Sequence, residues 1–114
     1  MKSINFSVLK EKLLDRSKTQ TIRCTYLPKY KIGEVIQIKF NKEPIFEAKI
    51  IDLYPKQLKD LTLEEANRDG FDSVQALWDV LEELNGIKDL DLWCFVIRFK
   101  PQPSITDFGG AGRG

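Results

Sequence analysis

A chain of 114 residues with 42% hydrophobic and 31% charged residues has the length and composition of one soluble globular domain with its own core. Its net charge of +1 gives no whole-molecule sign of nucleic-acid binding, and no apolar run approaches the roughly 20 residues of a membrane span. The sequence holds no histidine, which excludes histidine triads and histidine-ligated zinc and leaves proton transfer to Lys, Asp, Glu, Tyr or Cys.

The first predicted element is a helix over residues 7–15, with Phe6, Leu9 and Leu13 on one stripe and Ser7 as N-cap. Thr21-Ile22-Arg23-Cys24-Thr25 then has the β-branched alternation of a strand. A loop around Pro28 and a turn at Gly33 lead to a half-buried strand over residues 34–40, where Ile36, Ile38 and Phe40 alternate with polar residues. Asn41-Lys42-Glu43-Pro44 forms a turn, and residues 45–54 return as a longer strand. Its apolar phase slips from Ile50 to Ile51, the mark of a bulge.

Thr62-Leu63-Glu64-Glu65 is a capping box that starts a short helix, which Gly70 ends. A second helix begins near Asp72 or Ser73, carries Val74, Leu77, Trp78, Leu81 and Leu84 on one stripe, and stops at Asn85-Gly86. Trp93 to Lys100 reads as a last strand with Phe95, Ile97 and Phe99 inward. Residues 1–100 are thus one domain, and the Pro/Gly-rich tail 101–114 is expected to be disordered. This element order predicts an α+β fold, a small mixed or antiparallel β-barrel flanked by helices.

Cys24 and Cys94 are too few for a disulfide framework and lack a metal-binding Cys-x-x-Cys spacing. With no apolar leader after Met1, the expectation is two reduced thiols in a cytoplasmic protein. Charge is unevenly spread. Residues 10–31 carry seven basic against two acidic residues, and residues 60–91 carry ten acidic against two basic. Two solvated helix faces of opposite sign fit this, and so does a basic rim that attracts phosphates.

Lys18-Thr19-Gln20-Thr21-Ile22-Arg23 concentrates polar residues at the start of a strand. In a strand Thr19, Thr21 and Arg23 share one face and Ile22 points to the core. Lys18 can therefore meet Thr21 only if it lies in the turn before the strand. A threonine hydroxyl needs a base to become a nucleophile, yet only about 0.04% of an ordinary lysine is neutral at pH 7. Lowering its pKa to about 7.5 takes roughly 4 kcal/mol of desolvation or like-charge repulsion, for which Arg16 and Arg23 are candidate sources. A surface lysine beside strand-forming threonines fits the same local pattern. Arg23 can bind a phosphate or stabilise an oxyanion, or be a plain strand-surface residue. Tyr26, Tyr30 and Trp93 could stack on a base. Trp78 belongs to a helix core stripe, and Phe71 reads as a barrel plug.

The run from Phe6 through Lys18-Thr-Gln-Thr-Ile-Arg23 and Lys31-Ile-Gly-Glu-Val-Ile36 resembles the ASCH family of small PUA-like β-barrels. Ala48-Lys-Ile50, Leu61-Thr62, Ala66, Asp69-Gly70-Phe71, Ser73 and Phe95-Val-Ile-Arg-Phe99 extend the resemblance over residues 4 to 100. Some small bacterial ASCH proteins are amidohydrolases that deacetylate N4-acetylcytidine with a lysine, a threonine and an acidic residue. The resemblance thus implies Lys18 as proton acceptor, Thr21 as nucleophile and Asp69 as the acid. Arg23, Thr19 and Tyr26 are the substrate-binding candidates beside them. It implies no metal and no organic cofactor. Asp69 stands where those enzymes have glutamate, one methylene longer, and it also suits an Asp-Gly helix-end turn. The expected partner is a nucleoside, or RNA if the domain is a PUA-type RNA-binding or RNA-processing module. An interaction domain with a vestigial pocket is a third reading. No membrane association is expected, and the sequence leaves the oligomeric state open, with a monomer favoured.

Overall fold

Asn41 and Lys42 both have left-handed backbone (φ 47° and 70°), the geometry that lets two residues join right-twisted antiparallel strands. They link β3 (Val35–Phe40) to the long β4 (Glu43–Gln57), so the turn is shorter than the sequence suggests and Pro44 lies inside β4. The computed structural model describes residues 1–24 and 29–103. Before β3 come β1 (Ser3–Phe6), α1 (Lys10–Leu14) and β2 (Gln20–Arg23). After β4 come a single 3-10 turn, α2 (Leu63–Arg68), α3 (Val74–Asn85) and β5 (Trp93–Pro101). The predicted tail from residue 104 onward lies outside the described residues.

The five strands form one mixed sheet in the order β1-β3-β4-β5-β2. Only the β1–β3 pair is parallel. The sheet curls until its two end strands face each other: the Arg23 guanidinium of β2 donates to the Asn5 carbonyl of β1 at 3.1 Å. The result is an α+β half-barrel with an open seam between β1 and β2. Its inner core gathers Ile4, Phe6, Leu13, Ile36, Ile38, Ile50, Ile97 and Phe99. On the outer face the 3-10 turn, α2 and α3 cover Ile22, Cys94 and Val96 with Leu58, Ala66, Leu77 and Leu81. β5 is consequently buried on both faces, by Cys94 and Val96 as well as Ile97 and Phe99, whereas Phe95, also expected inward, is only half-buried.

Several local signals act as expected. Thr62 and Glu65 complete a reciprocal capping box, Ser73 caps α3 through the Ala76 N–H, and Gly86 ends it in a left-handed turn. The register of β4 against β5 shifts between Ile50 and Asp52, which leaves Ile51 as the extra, exposed residue of the bulge. Trp78 packs on the outer core and donates from its indole nitrogen to the Leu58 carbonyl.

The N-terminus differs from its prediction. Ser3–Phe6 is a strand, and α1 starts only at Lys10, after a Leu9 cap with no side-chain hydrogen bond. Four residues are too few for alternation to declare a strand, and β1 is fixed by non-local pairing of Ser3 to Phe6 with Gln37 to Phe40. The cysteines also differ: Cys24 and Cys94 form a disulfide, not two free thiols. Antiparallel pairing of Arg23 with Phe95 makes Cys24 and Cys94 the next facing pair, with Cα atoms 4.1 Å apart. Among the described residues no helix is long and apolar enough to cross a membrane.

The disulfide ties β2 to β5 across a sequence separation of 70 residues. Reduction should therefore lower unfolding free energy by up to about 4 kcal/mol, read as a urea midpoint shift with and without reductant. Coincident curves, or no shift in Cys24→Ser, would contradict the cross-link.

Candidate active site

The open seam ends in a cavity of about 190 Å³ lined by Asn5 and Phe6 of β1, Lys18, Thr21, Arg23 and Asp69. Its far wall is apolar: Leu77, Val80, Leu81 and Leu84 of α3 face it beside Phe71. Leu77, Leu81 and Leu84 belong to the apolar stripe expected of this helix and Val80 does not; the stripe both packs on the outer core and borders the cavity.

Lys18 arrives from an extended connection between α1 and β2. Its backbone N–H donates to the Lys12 carbonyl at 3.0 Å, and the next N–H, of Thr19, donates to the Arg68 carbonyl at 2.9 Å. Lys18 therefore precedes β2 and escapes the strand's alternation, the condition for sharing a space with Thr21. Its side chain is only 4% exposed and that of Asp69 5%. The ammonium donates to Asp69 Oδ1 and, at 2.6 Å, to the Asp69 carbonyl, so one of its three N–H groups is left over among the described contacts. Phe6 and Phe71 lie beside it, with ring centres 5.1 and 5.8 Å from Nζ. Burial lowers the Lys18 pKa below the ordinary 10.5; Asp69 opposes the shift, while Arg23 and Lys12 add to it.

Asp69 is the C-cap of α2 and Gly70 follows with φ 95°. A Cβ at Gly70 would lie 3.0 Å from Leu9 Cδ1 and 3.3 Å from Lys12 Cδ. The left-handed backbone therefore favours glycine, and any side chain there would also have to push Leu9 and Lys12 slightly aside. Lys12 fixes it further by donating to the Gly70 carbonyl at 2.6 Å. Asp69 is thus both the helix-end turn and a member of the cavity. The missing methylene does not keep its carboxylate from Lys18, because the turn brings the backbone itself against the lysine.

Of the other candidates, Thr21 and Arg23 line the cavity and Thr19 does not. Thr19 serves through its backbone, accepting from the Phe99 N–H at 2.9 Å. Tyr26 lies outside the described residues. Tyr30 is no stacking platform: it is buried in the inner core with its hydroxyl donating to the Ser3 carbonyl at 2.8 Å. Trp93 is exposed on a separate groove with Cys24 and Pro55. Sequence reasoning passed over Gln20, a fully buried amide that donates to Asp69 Oδ2 at 3.3 Å. Its signal was a polar residue at an inward strand position. Among the described residues no three acidic or cysteine side chains cluster to hold a metal.

Removing one partner of a buried ion pair strands the other. Lys18→Met should destabilise the fold by about 3 kcal/mol, and Lys18→Met with Asp69→Leu should recover most of that loss. Urea unfolding of the set checks the coupling; additive losses in the double variant would disprove it.

No family model and no curated protein matches the sequence. The fold, however, is found among solved structures. An ASCH domain from Lactobacillus crispatus JV V101 superimposes with TM-score 0.70 at 13% identity, over 88% of this chain and 79% of that one. Hypothetical protein PH0355 gives 0.63 at 15%, over 90% and 100%. Protein EF3133 of Enterococcus faecalis V583, of the DUF984 family model, gives 0.62 at 13%, over 80% and 67%. At such identities the likeness speaks for architecture, and it agrees with the half-barrel derived from the strands: the chain has the fold of an ASCH domain.

Proposed function

We propose that this protein is an amidohydrolase that removes an acyl group, such as acetyl, from N4-acylated cytidine or a related nucleoside. One observation carries the reading: a buried Lys18–Asp69 pair opens on a cavity that Thr21 and Arg23 share. The ASCH fold and the resemblance of Lys18 through Arg23 to deacetylating members support it.

The buried pair holds one proton, either on Lys18 as an ion pair or on Asp69 as a neutral pair. In the neutral arrangement Lys18 is a base and Asp69 an acid. Lys18 takes the Thr21 hydroxyl proton as Oγ1 attacks the amide carbon, and the carbonyl electrons form an oxyanion beside the Arg23 guanidinium. Collapse breaks the C–N bond, and Asp69 gives its proton to the leaving amine. Proton return from the Lys18 ammonium to Asp69 resets the pair. Water then hydrolyses the threonyl ester, losing a proton to Lys18 while Thr21 regains one from Asp69. The balance is amide plus water to acid plus amine.

An RNA-binding role draws less support. Within the basic stretch Lys18 is buried, Lys12 and Arg23 donate to protein carbonyls, and Lys10 and Arg16 lie over Phe40 and Phe46. The segment does not present its seven cations as one solvated face.

Thr21→Val keeps the β-branched shape of a buried residue. It should lower acetate release from N4-acetylcytidine by at least about a thousandfold with an unchanged melting temperature. Undiminished release, or none from the native protein, refutes the proposal, and RNA affinity that falls steeply with salt would replace it. Because the reacting pair holds one proton, kcat/KM should rise on the acid side as the pair sheds a second proton and fall on the alkaline side as it loses the last one; burial holds Lys18 below its ordinary 10.5, so the fall should come below that value.

A further inference from the structure

Gln20 opens β2, is 0% exposed, and does not line the cavity. Its amide can sit only one way round. Oε1 accepts from Arg68 Nε at 3.1 Å, and a guanidinium only donates. Nε2 donates to the Glu65 backbone carbonyl at 2.9 Å, a group that only accepts. The remaining N–H of Nε2 is left for Asp69 Oδ2, 3.3 Å away. The two oxygens of Asp69 therefore live in different surroundings: Oδ2 faces a fixed donor, and Oδ1 faces Lys18 Nζ.

We propose that Gln20 is a positioning residue: by donating to Asp69 Oδ2 it confines the proton shared by Lys18 and Asp69 to Oδ1. A proton on Oδ2 would set an O–H against the Gln20 N–H in a buried place, so that one donor faces another and the hydroxyl oxygen accepts the Gln20 bond more weakly. A proton on Oδ1 can instead be donated to neutral Nζ. One proton then moves along a single line, the Oδ1–H bond forming as the Nζ–H bond breaks. The inference rests on the amidohydrolase reading, because it specifies how that reaction's acid is loaded. It also explains how an aspartate can serve, since the direction of its proton is set from behind.

The charged groups around the pair are Lys12 from α1, Arg23 from β2 and Arg68 from α2. Glu65 of α2 is turned to Lys56 and Tyr54, at 2.7 and 2.6 Å. β1 contributes Phe6, the segment after α2 contributes Phe71, and α3 contributes apolar side chains. Gln20 is thus the neutral donor among cations, so its removal changes a hydrogen bond without changing the charge.

Gln20→Met keeps the length and removes the donor. For N4-acetylcytidine we expect kcat to fall about tenfold, KM to stay within about twofold, and the acid limb of kcat to move up about one pH unit. Without substrate, the Asp69 carboxyl 13C resonance, identified against Asp69→Asn, should move in the variant because Oδ2 has lost its hydrogen-bond donor. Gln20→Glu keeps the Arg68 partner but presents an acceptor to Oδ2; it should move both readouts further and replaces Gln20→Met if that variant does not fold. A lower melting temperature with unmoved pH limb and unmoved Asp69 resonance would make Gln20 an ordinary core amide and overturn the inference. If the native protein hydrolyses no acylated nucleoside, the amidohydrolase reading falls, and the Asp69 resonance alone decides on Gln20.

Discussion

The ammonium group of Lys18 sits beside the rings of Phe6 and Phe71, withdrawn from water, and a charge so placed is tolerable only when it is paired. Asp69 meets it with a carboxylate oxygen and a backbone carbonyl. That demand fixes where α2 must stop, since the carbonyl is available only because Asp69 is the last residue before the chain turns. It fixes α1 as well, whose Lys12 holds the turn by its carbonyl. Two short helices of five and six residues, too short to be stable alone, are in this way anchored at one buried contact.

The half-barrel supplies the other part of the arrangement. A sheet that closed fully would hydrogen-bond β1 to β2 and leave no room between them. Here the curl stops short, and the two end strands meet through side chains: Arg23 reaches the Asn5 carbonyl and lies over Phe6. Edge strands ordinarily invite pairing with other chains. These two are four residues each and turned toward one another, which shelters them while leaving polar side chains free to face a cavity.

Most of the fold is legible in the sequence wherever the signal is local. The capping box at Thr62, the stop at Gly86 and the bulge at Ile51 rest on residues within a few positions of one another, and each is present. What escaped is non-local. β1 is a strand only because β3 lies beside it. The disulfide follows from the register of β2 on β5, which neither strand declares alone. Tyr30 looks like any loop aromatic until its hydroxyl is seen to reach Ser3. The site divides in the same way. Lys18, Thr21 and Arg23 stand in one run, and Asp69 was reached through resemblance. Gln20 lay inside that run unnoticed, because its three partners come from α2 and the turn that follows.

Gly70 is the residue whose two duties cannot be separated. It ends a helix, as glycines after helices commonly do, yet at this turn it also lets Leu9 and Lys12 crowd against bare backbone. A glycine of the first kind can be replaced by asparagine at modest cost; here any side chain must also displace those two neighbours. The Asp69-Gly70 turn therefore ties the end of a helix to the shape of the cavity, because Lys12, which a side chain at position 70 would push aside, also holds the turn that carries Asp69.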